Sequence, residues 1–374
     1  MKKITRRTFM KVMGTTAAAV GLSACGGSAG STAASASNAA SSTAVSAPAA
    51  AEALTFKVAY SESEDSIYGE VINAAFDEIA SKTEGRVAFD VYPNNALGSI
   101  TDMLEQMRAG APMICSMGFD NLGDVVSDFA PASFPYVFNS LYEVQALAKS
   151  DWIAGIESEL VKQDIQPLCY GAIGYRHFIS TFKIEKAADC AGHIMRMGPS
   201  SAAQGFITVM NGTPTTSTWA DNYSLLQTGV IESCEAPLSL LLSSSLNEVC
   251  KYLCLSGHFV NPFSLCMNPT YWDQISAEDQ QTIKSVLTDA CVEMADQSMA
   301  KEDEFVQQFK DLGVTVSEAD KASFAAVVPD LFTLLGLDPS IYDTIRAAHR
   351  GQHLIFCKKN GCRLSKCLQA AFLE

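Results

Sequence analysis

The chain has 374 residues, 48% of them hydrophobic and only 18% charged, so it is long enough for two ordinary domains with a sizeable core. Its formal net charge of −15 is unevenly spread: five basic residues stand in the first 25 positions and five more follow 349, which leaves 16 basic against 40 acidic residues between 26 and 348. That balance argues against nucleic-acid binding, which needs a basic face, and it means that a small anion must be captured by a local group against the global field.

The N-terminus reads as an export signal. "TRRTFMK" (Thr5–Lys11), the apolar run Val12–Leu22 and "LSAC" ending at Cys25 combine a twin-arginine motif with a lipobox. The run is too short to cross a bilayer as an anchor. Cleavage before Cys25 and diacylglycerol attachment to its sulfur are expected. From Gly26 to Ala53 the chain is almost wholly Gly, Ala, Ser and Thr, the composition of a flexible tether.

Strand-like and helix-like segments then alternate. "LTFKVAY" has period two, "YGEVINAAFDEIASKTEG" has helical spacing and closes on glycine, and "RVAFDVYP" is the next strand, which makes a βαβ unit. "ITDMLEQMRAG" as helix and "APMICSMG" as strand repeat the pattern. A second block begins near "QPLCYGAIGYRHFIS" and runs through "GHIMRMG", the helices "SSAAQGFITVMNG" and "TWADNYSLLQTG", and the strand "VIESCEAP". After strand-like "GHFVNPFSLCMNP", the segment from "SAEDQQTIK" to "FVQQFKDLG" reads as one or two helices opened by a capping pattern. The fold class is α/β, with two lobes and a long spanning helix.

Of twelve cysteines, eight fall in the body (Cys115, Cys169, Cys190, Cys234, Cys250, Cys254, Cys266 and Cys291), mostly inside apolar segments, where free thiols act as small core hydrophobes. A few disulfides are the alternative.

Among the five body arginines, Arg86, Arg108 and Arg346 have solvated contexts, whereas Arg176 and Arg196 sit in apolar, strand-like surroundings. A buried guanidinium requires a partner. For Arg196 two readings stand: an ion pair with Glu235 of "ESCEAPL", or a bidentate clamp on a ligand carboxylate. Both hold together if Glu235 orients the arginine and leaves two donors free.

Five stretches in order resemble a known family. "TEGRVAFDVYPNNALGSITDMLEQMRAG", "ASFPYVFNSLYEV", "GYRHFIS", "KAADCAGHIMRMGPS" and "TPTTSTWADNYSLLQTGVIESCEAPLSLL" are similar to the extracytoplasmic solute receptors of TRAP (tripartite ATP-independent periplasmic) transporters, the DctP type. The resemblance covers Leu54 to Ala348. It implies a two-lobed fold like that of periplasmic binding proteins, with crossing strands, that closes on an organic carboxylate and hands it to membrane permease subunits. The lobes implied are 54–173 plus 262–301 and 174–261 plus 302–348, after a signal at 1–25 and a linker at 26–53. Carried over residue by residue, Arg196 becomes the carboxylate clamp, Arg176 a second contact, Trp219 the ring against the ligand and Glu235 the glutamate of the family's QEN triplet. The triplet's asparagine is Ala236 here and its glutamine Cys234, so Asn222 or Asn261 is expected to supply the lost amide.

The acidic loop "SESEDS" (Ser61–Ser66) follows the first strand, where α/β proteins bind ligands. It reads as solvated, with recognition of a ligand amine as the alternative, and His177 and His258 read as structural or exposed. The tail 349–374 departs from the family. Its His353, Cys357, Cys362 and Cys367 lack a CxxC knuckle, so no metal is expected, and it reads as a frameshifted or read-through extension. No cofactor is implied, and with no GxSxG, HExxH or P-loop an enzyme is the weaker reading. A signalling receptor on the same fold is the other alternative. The expected location is the outer face of the cytoplasmic membrane, reached only through the lipid.

Overall fold

The computed structural model describes residues 53–349. The expectations for the export signal, lipidated Cys25, the linker to 52 and the tail from 350 lie outside the described residues. Eleven strands appear in chain order among them: β1 (Leu54–Ala59), β2 (Val87–Tyr92), β3 (Met113–Gly118), β4 (Gln166–Ala172), β5 (Arg176–Ser180), β6 (Ile194–Arg196), β7 (Thr213–Thr215), β8 (Ser233–Pro237), β9 (Tyr252–Phe259), β10 (Pro262–Met267) and β11 (Thr315–Glu318).

They form two sheets, β2-β1-β3-β10-β4 and β11-β9-β5-β8-β6-β7. The βαβ reading holds at the start of the chain. β1 pairs in parallel with β2 and β3, and the helices Ile67–Lys82 and Ile100–Arg108 make the crossovers. Each helix begins where the sequence offers a cap: the Ser66 hydroxyl accepts from the Gly69 N–H, and Ser99 forms a capping box with Asp102. The first helix buries Tyr68, Val71, Ile72, Ala75, Phe76 and Ile79, the three-and-four spacing that turns one face to the sheet.

Two connections carry the chain between the sheets. β4 runs into β5 through Ile173–Tyr175, and β9 runs into β10 through Val260 and Asn261. The Ile173 N–H donates to the Asn261 carbonyl (3.2 Å) and the Gly174 N–H to that of Val260 (3.4 Å), so the crossings lie side by side. Asn261 holds a left-handed φ of 50°, a conformation asparagine tolerates better than most residues.

The long helix is a single element, Ala277–Asp311, of 35 residues. At 1.5 Å per residue it spans about 50 Å, and it packs on the helix Ile67–Lys82 and β4 in the first lobe and on the helix Leu238–Ser243 and β11 in the second. Apolar clusters line both faces of each sheet. A further cluster joins Phe134 of the first lobe to Ala202 of the second through Val328, Leu331 and Phe332 of the helix Val328–Leu335. The helical residues 340–349 then set Ile345 into the first lobe's core.

All eight body cysteines are buried and free. Burial pushes the thiols of Cys115, Cys190, Cys250 and Cys254 up to about 12, as expected of small core hydrophobes.

Candidate functional site

Arg176 is the first residue of β5, just past the crossing, and β5 runs antiparallel to β8 with Arg176 opposite Pro237 and Phe178 opposite Glu235. Arg176 and Glu235 therefore share a face of the sheet one diagonal step apart. The guanidinium is nearly used up. Its Nε donates to Glu235 Oε2, Nη2 to Glu235 Oε1 (2.6 Å) and to the Glu235 carbonyl (3.0 Å), and Nη1 to Asn261 Oδ1 (2.9 Å). Burial opposes ionisation of Glu235, which is 1% exposed, but the charge and hydrogen bonds of Arg176 outweigh it and hold the carboxyl well below the usual range.

His258 backs this pair. Its Nδ1 lies 2.7 Å from Ser256 Oγ, its Nε2 is 3.5 Å from Glu235 Oε2, and its ring lies flat on Phe178 at 4.4 Å. Burial, against the pull of Glu235, pushes its pKa down to about 4, so the imidazole is neutral at pH 7. His177 is also structural: Nδ1 accepts from the Gly257 N–H and Nε2 lies 2.9 Å from Glu302 on the long helix.

Arg196 ends β6 and is 8% exposed. The expected Arg196–Glu235 ion pair does not form; Glu235 belongs to Arg176. The cause is register. β6 and β8 align Met195 with Ser233, so Arg196 stands beside Cys234 and leaves from the opposite face of the sheet to Glu235. Arg196 Nη2 donates to the Ser217 carbonyl (2.8 Å) and the guanidinium lies 5.5 Å from the centre of the Trp219 ring, while the buried Nε has no partner. Burial lowers its pKa, partly offset by the nearby charge of Glu235.

Asn222 completes this corner at 1% exposure. Its Oδ1 accepts from Ser217 Oγ (2.7 Å) and its Nδ2 has no partner, so Ser217 tethers both Arg196 and Asn222. Trp219 Nε1 donates to Ser244 Oγ (2.9 Å), which fixes the indole at the end of the helix Leu238–Ser243. The six residues singled out in the sequence thus fall into two groups at one end of the second sheet, Arg176–Glu235–Asn261 and Arg196–Trp219–Asn222. Ala236 is fully buried on the second group's face.

Sequence reasoning missed Asp120 and gave Glu62 a solvated reading. Glu62 follows β1 and Asp120 follows β3, neighbours in the first sheet, at their carboxyl ends. Both contribute to the field that keeps Arg176 charged. Burial raises the pKa of each, with hydrogen bonds and the Arg176 charge opposing. Asp120 bonds the Ser200 side chain, its Oδ2 lies 3.9 Å from where a Cβ on Gly198 would stand, and the Ser201 N–H donates to Asp124 Oδ1 (3.4 Å). Asp120 and Asp124 of the first lobe therefore stand against the link between β6 and the helix Ser201–Val209. The signal was available: both follow strands of the βαβ unit, where α/β sheets bind ligands. Among the described residues no group of three or more His, Cys, Asp or Glu side chains is placed to hold a metal.

Two α/β lobes joined by paired crossings, with unpartnered cationic and amide donors buried at one end of the second sheet, suit the binding of a small solute. The family model for bacterial extracellular solute-binding proteins, family 7 (DctP), matches residues 58–333, and the chain belongs to that family. The chain is 27% identical over 274 residues to the C4-dicarboxylate-binding periplasmic protein DctP of Rhodobacter capsulatus, covering 72% of this chain and 81% of that one. A TRAP periplasmic solute-binding protein of Actinobacillus succinogenes with bound L-galactonate superposes with a TM-score of 0.75 at 26% identity, over 79% of this chain and 99% of that one. One from Chromohalobacter salexigens with bound D-glucuronate gives 0.72 at 25% identity, over 78% and 99%. The family is one of exported solute-binding receptors, and no described helix is long and apolar enough to cross a membrane.

Proposed function

We propose that this protein is the receptor of a TRAP-type secondary transporter, held by lipid at Cys25 on the outer face of the cytoplasmic membrane, where it captures a small organic acid and delivers it to the permease subunits. One observation carries the ligand assignment: Arg196 is nearly buried, yet its Nε is unpartnered and it pairs with no carboxylate. An unsatisfied buried donor costs about 1–3 kcal/mol, which a bidentate ligand carboxylate would recover. Asn222 Nδ2, tethered through the same Ser217, supplies the amide that Ala236 lacks, and Trp219 flanks the guanidinium. Arg176 serves mainly as a strut with Glu235 and Asn261, leaving one Nη1 hydrogen for the ligand. The galactonate and glucuronate in related structures are acids of this general kind.

The test is calorimetry with acids that raise the melting temperature of the purified protein. Arg196→Ala is expected to weaken binding by about 30-fold to several thousand-fold, from the 2–5 kcal/mol typical of truncating a buried charged partner. Arg196→Lys is expected to restore part of it, because a point charge lacks the planar fork. A folded Arg196→Ala protein that binds its acid within about twofold of the parent, on the order of 0.4 kcal/mol, refutes the clamp.

A further inference from the structure

The clamp accounts for the second lobe's side of the cleft and leaves the first lobe's acids unexplained. Arg176 is spent on Glu235, so it neutralises neither Glu62 nor Asp120 by contact. Among the described residues neither acid forms an ion pair, although both are partly shielded from water. They come from adjacent strand ends, and Asp120 reaches within 3.9 Å of the position a Cβ on Gly198 would take, two residues past Arg196. The opposite side holds the orphaned donors, Arg196 Nε and Asn222 Nδ2, each in a side chain more than nine-tenths buried. The two lobes are therefore polarised where they approach, with acids outside any ion pair on one and donors without a partner on the other.

Two partly buried carboxylates that share the field of one arginine already paired with Glu235 leave negative charge in excess, and they repel a ligand that carries only negative charge. The hydroxyls of a sugar acid would give them hydrogen bonds but no charge. A cationic nitrogen gives both. Burial pushes the pKa of each acid up even though hydrogen bonds and the Arg176 charge oppose it.

We infer that the ligand is zwitterionic: a small acid whose carboxylate meets Arg196 and Asn222 on the second lobe and whose cationic nitrogen lies against Glu62 and Asp120 on the first. This rests on the receptor reading above and narrows it. The other expectation for the "SESEDS" loop, a solvated turn, would leave Glu62 without effect on affinity.

The experiment is a thermal-shift and calorimetry panel of matched short acids, each with and without an amino group, together with L-galactonate as the polyhydroxy acid. At least one amino acid of the panel is expected to bind tenfold or more tightly than its unaminated match. The double variant Glu62→Gln, Asp120→Asn is expected to abolish that difference while still binding the match. Preference for galactonate or for unaminated acids overturns the inference, as does a panel in which no aminated acid binds. If galactonate binding depends on Arg196 but not on Glu62, the zwitterion is wrong and the receptor reading stands. If no acid binds at all, both fall.

Discussion

The buried imidazole of His258 makes the stability of this protein depend on pH in a window that can be stated in advance. In the folded chain burial depresses its pKa to about 4, against 6.5 in an unfolded chain, with Glu235, Arg176 and His177 as the charged or titratable neighbours. Between pH 6.5 and 4 the unfolded state binds a proton that the folded state refuses, so stability falls as pH falls. The contribution is complete above 6.5 and gone below 4. A shift of that size corresponds to about 3 kcal/mol. Urea unfolding at several pH values in this window, on the parent and on His258→Gln, isolates it: the parent should lose about 2–3 kcal/mol more than the variant. Loss from protonation of Glu235, whose folded pKa is also depressed, falls mostly at lower pH, because an unfolded glutamate is only half protonated at 4.5. Parallel curves for the two proteins down to pH 4, or an imidazole that titrates near 6.5 by NMR in the folded state, would refute the reasoning.

Other outcomes follow from single features. Asn261→Gly keeps the left-handed backbone and loses only the bond to Arg176, whereas Asn261→Ala loses both, so chemical denaturation should find the alanine variant less stable than the glycine one by about 1–2 kcal/mol. Peptide-resolved alkylation should leave Cys115, Cys169, Cys190, Cys234, Cys250, Cys254, Cys266 and Cys291 unmodified in the native protein and label all eight after unfolding under non-reducing conditions; a persistent block at any pair means a disulfide. Replacing Arg6 and Arg7 by lysine should hold precursor in the cytoplasm, and Cys25→Ala should abolish lipid labelling; normal delivery and labelling of these variants would reject the export reading.

The sheets, the long helix and the buried cysteines were legible in the sequence because each rests on local pattern: period-two runs, three-and-four spacing and capping residues before the helices. The partnership of the two arginines was not, because it depends on which residues of separate strands stand side by side. Residue chemistry makes Arg196 and Arg176 equal claimants for Glu235. Only the pairing of Met195 with Ser233, and of Phe178 with Glu235, puts one claimant on the glutamate's face and the other on the opposite face. Asp120 escaped notice for a related reason. Its place after β3 marks only the carboxyl end of a strand, and the aspartate gains significance when Ser200 and Gly198 of the other lobe arrive beside it.

That register also decides how charge is spent in a strongly acidic body. A single arginine meeting both Glu235 and a ligand would divide its donors between a permanent and a transient carboxylate, and each would weaken the other's geometry. Two arginines on opposite faces of one end of the sheet separate the tasks. Arg176, locked by Glu235 and Asn261 at the paired crossings, braces the place where the lobes join, and Arg196, held by one carbonyl and an aromatic face, has its Nε left over for the ligand carboxylate proposed above. Ala236 is tolerable in this scheme because the amide lost there would stand on Arg196's face, which Asn222 already occupies through Ser217.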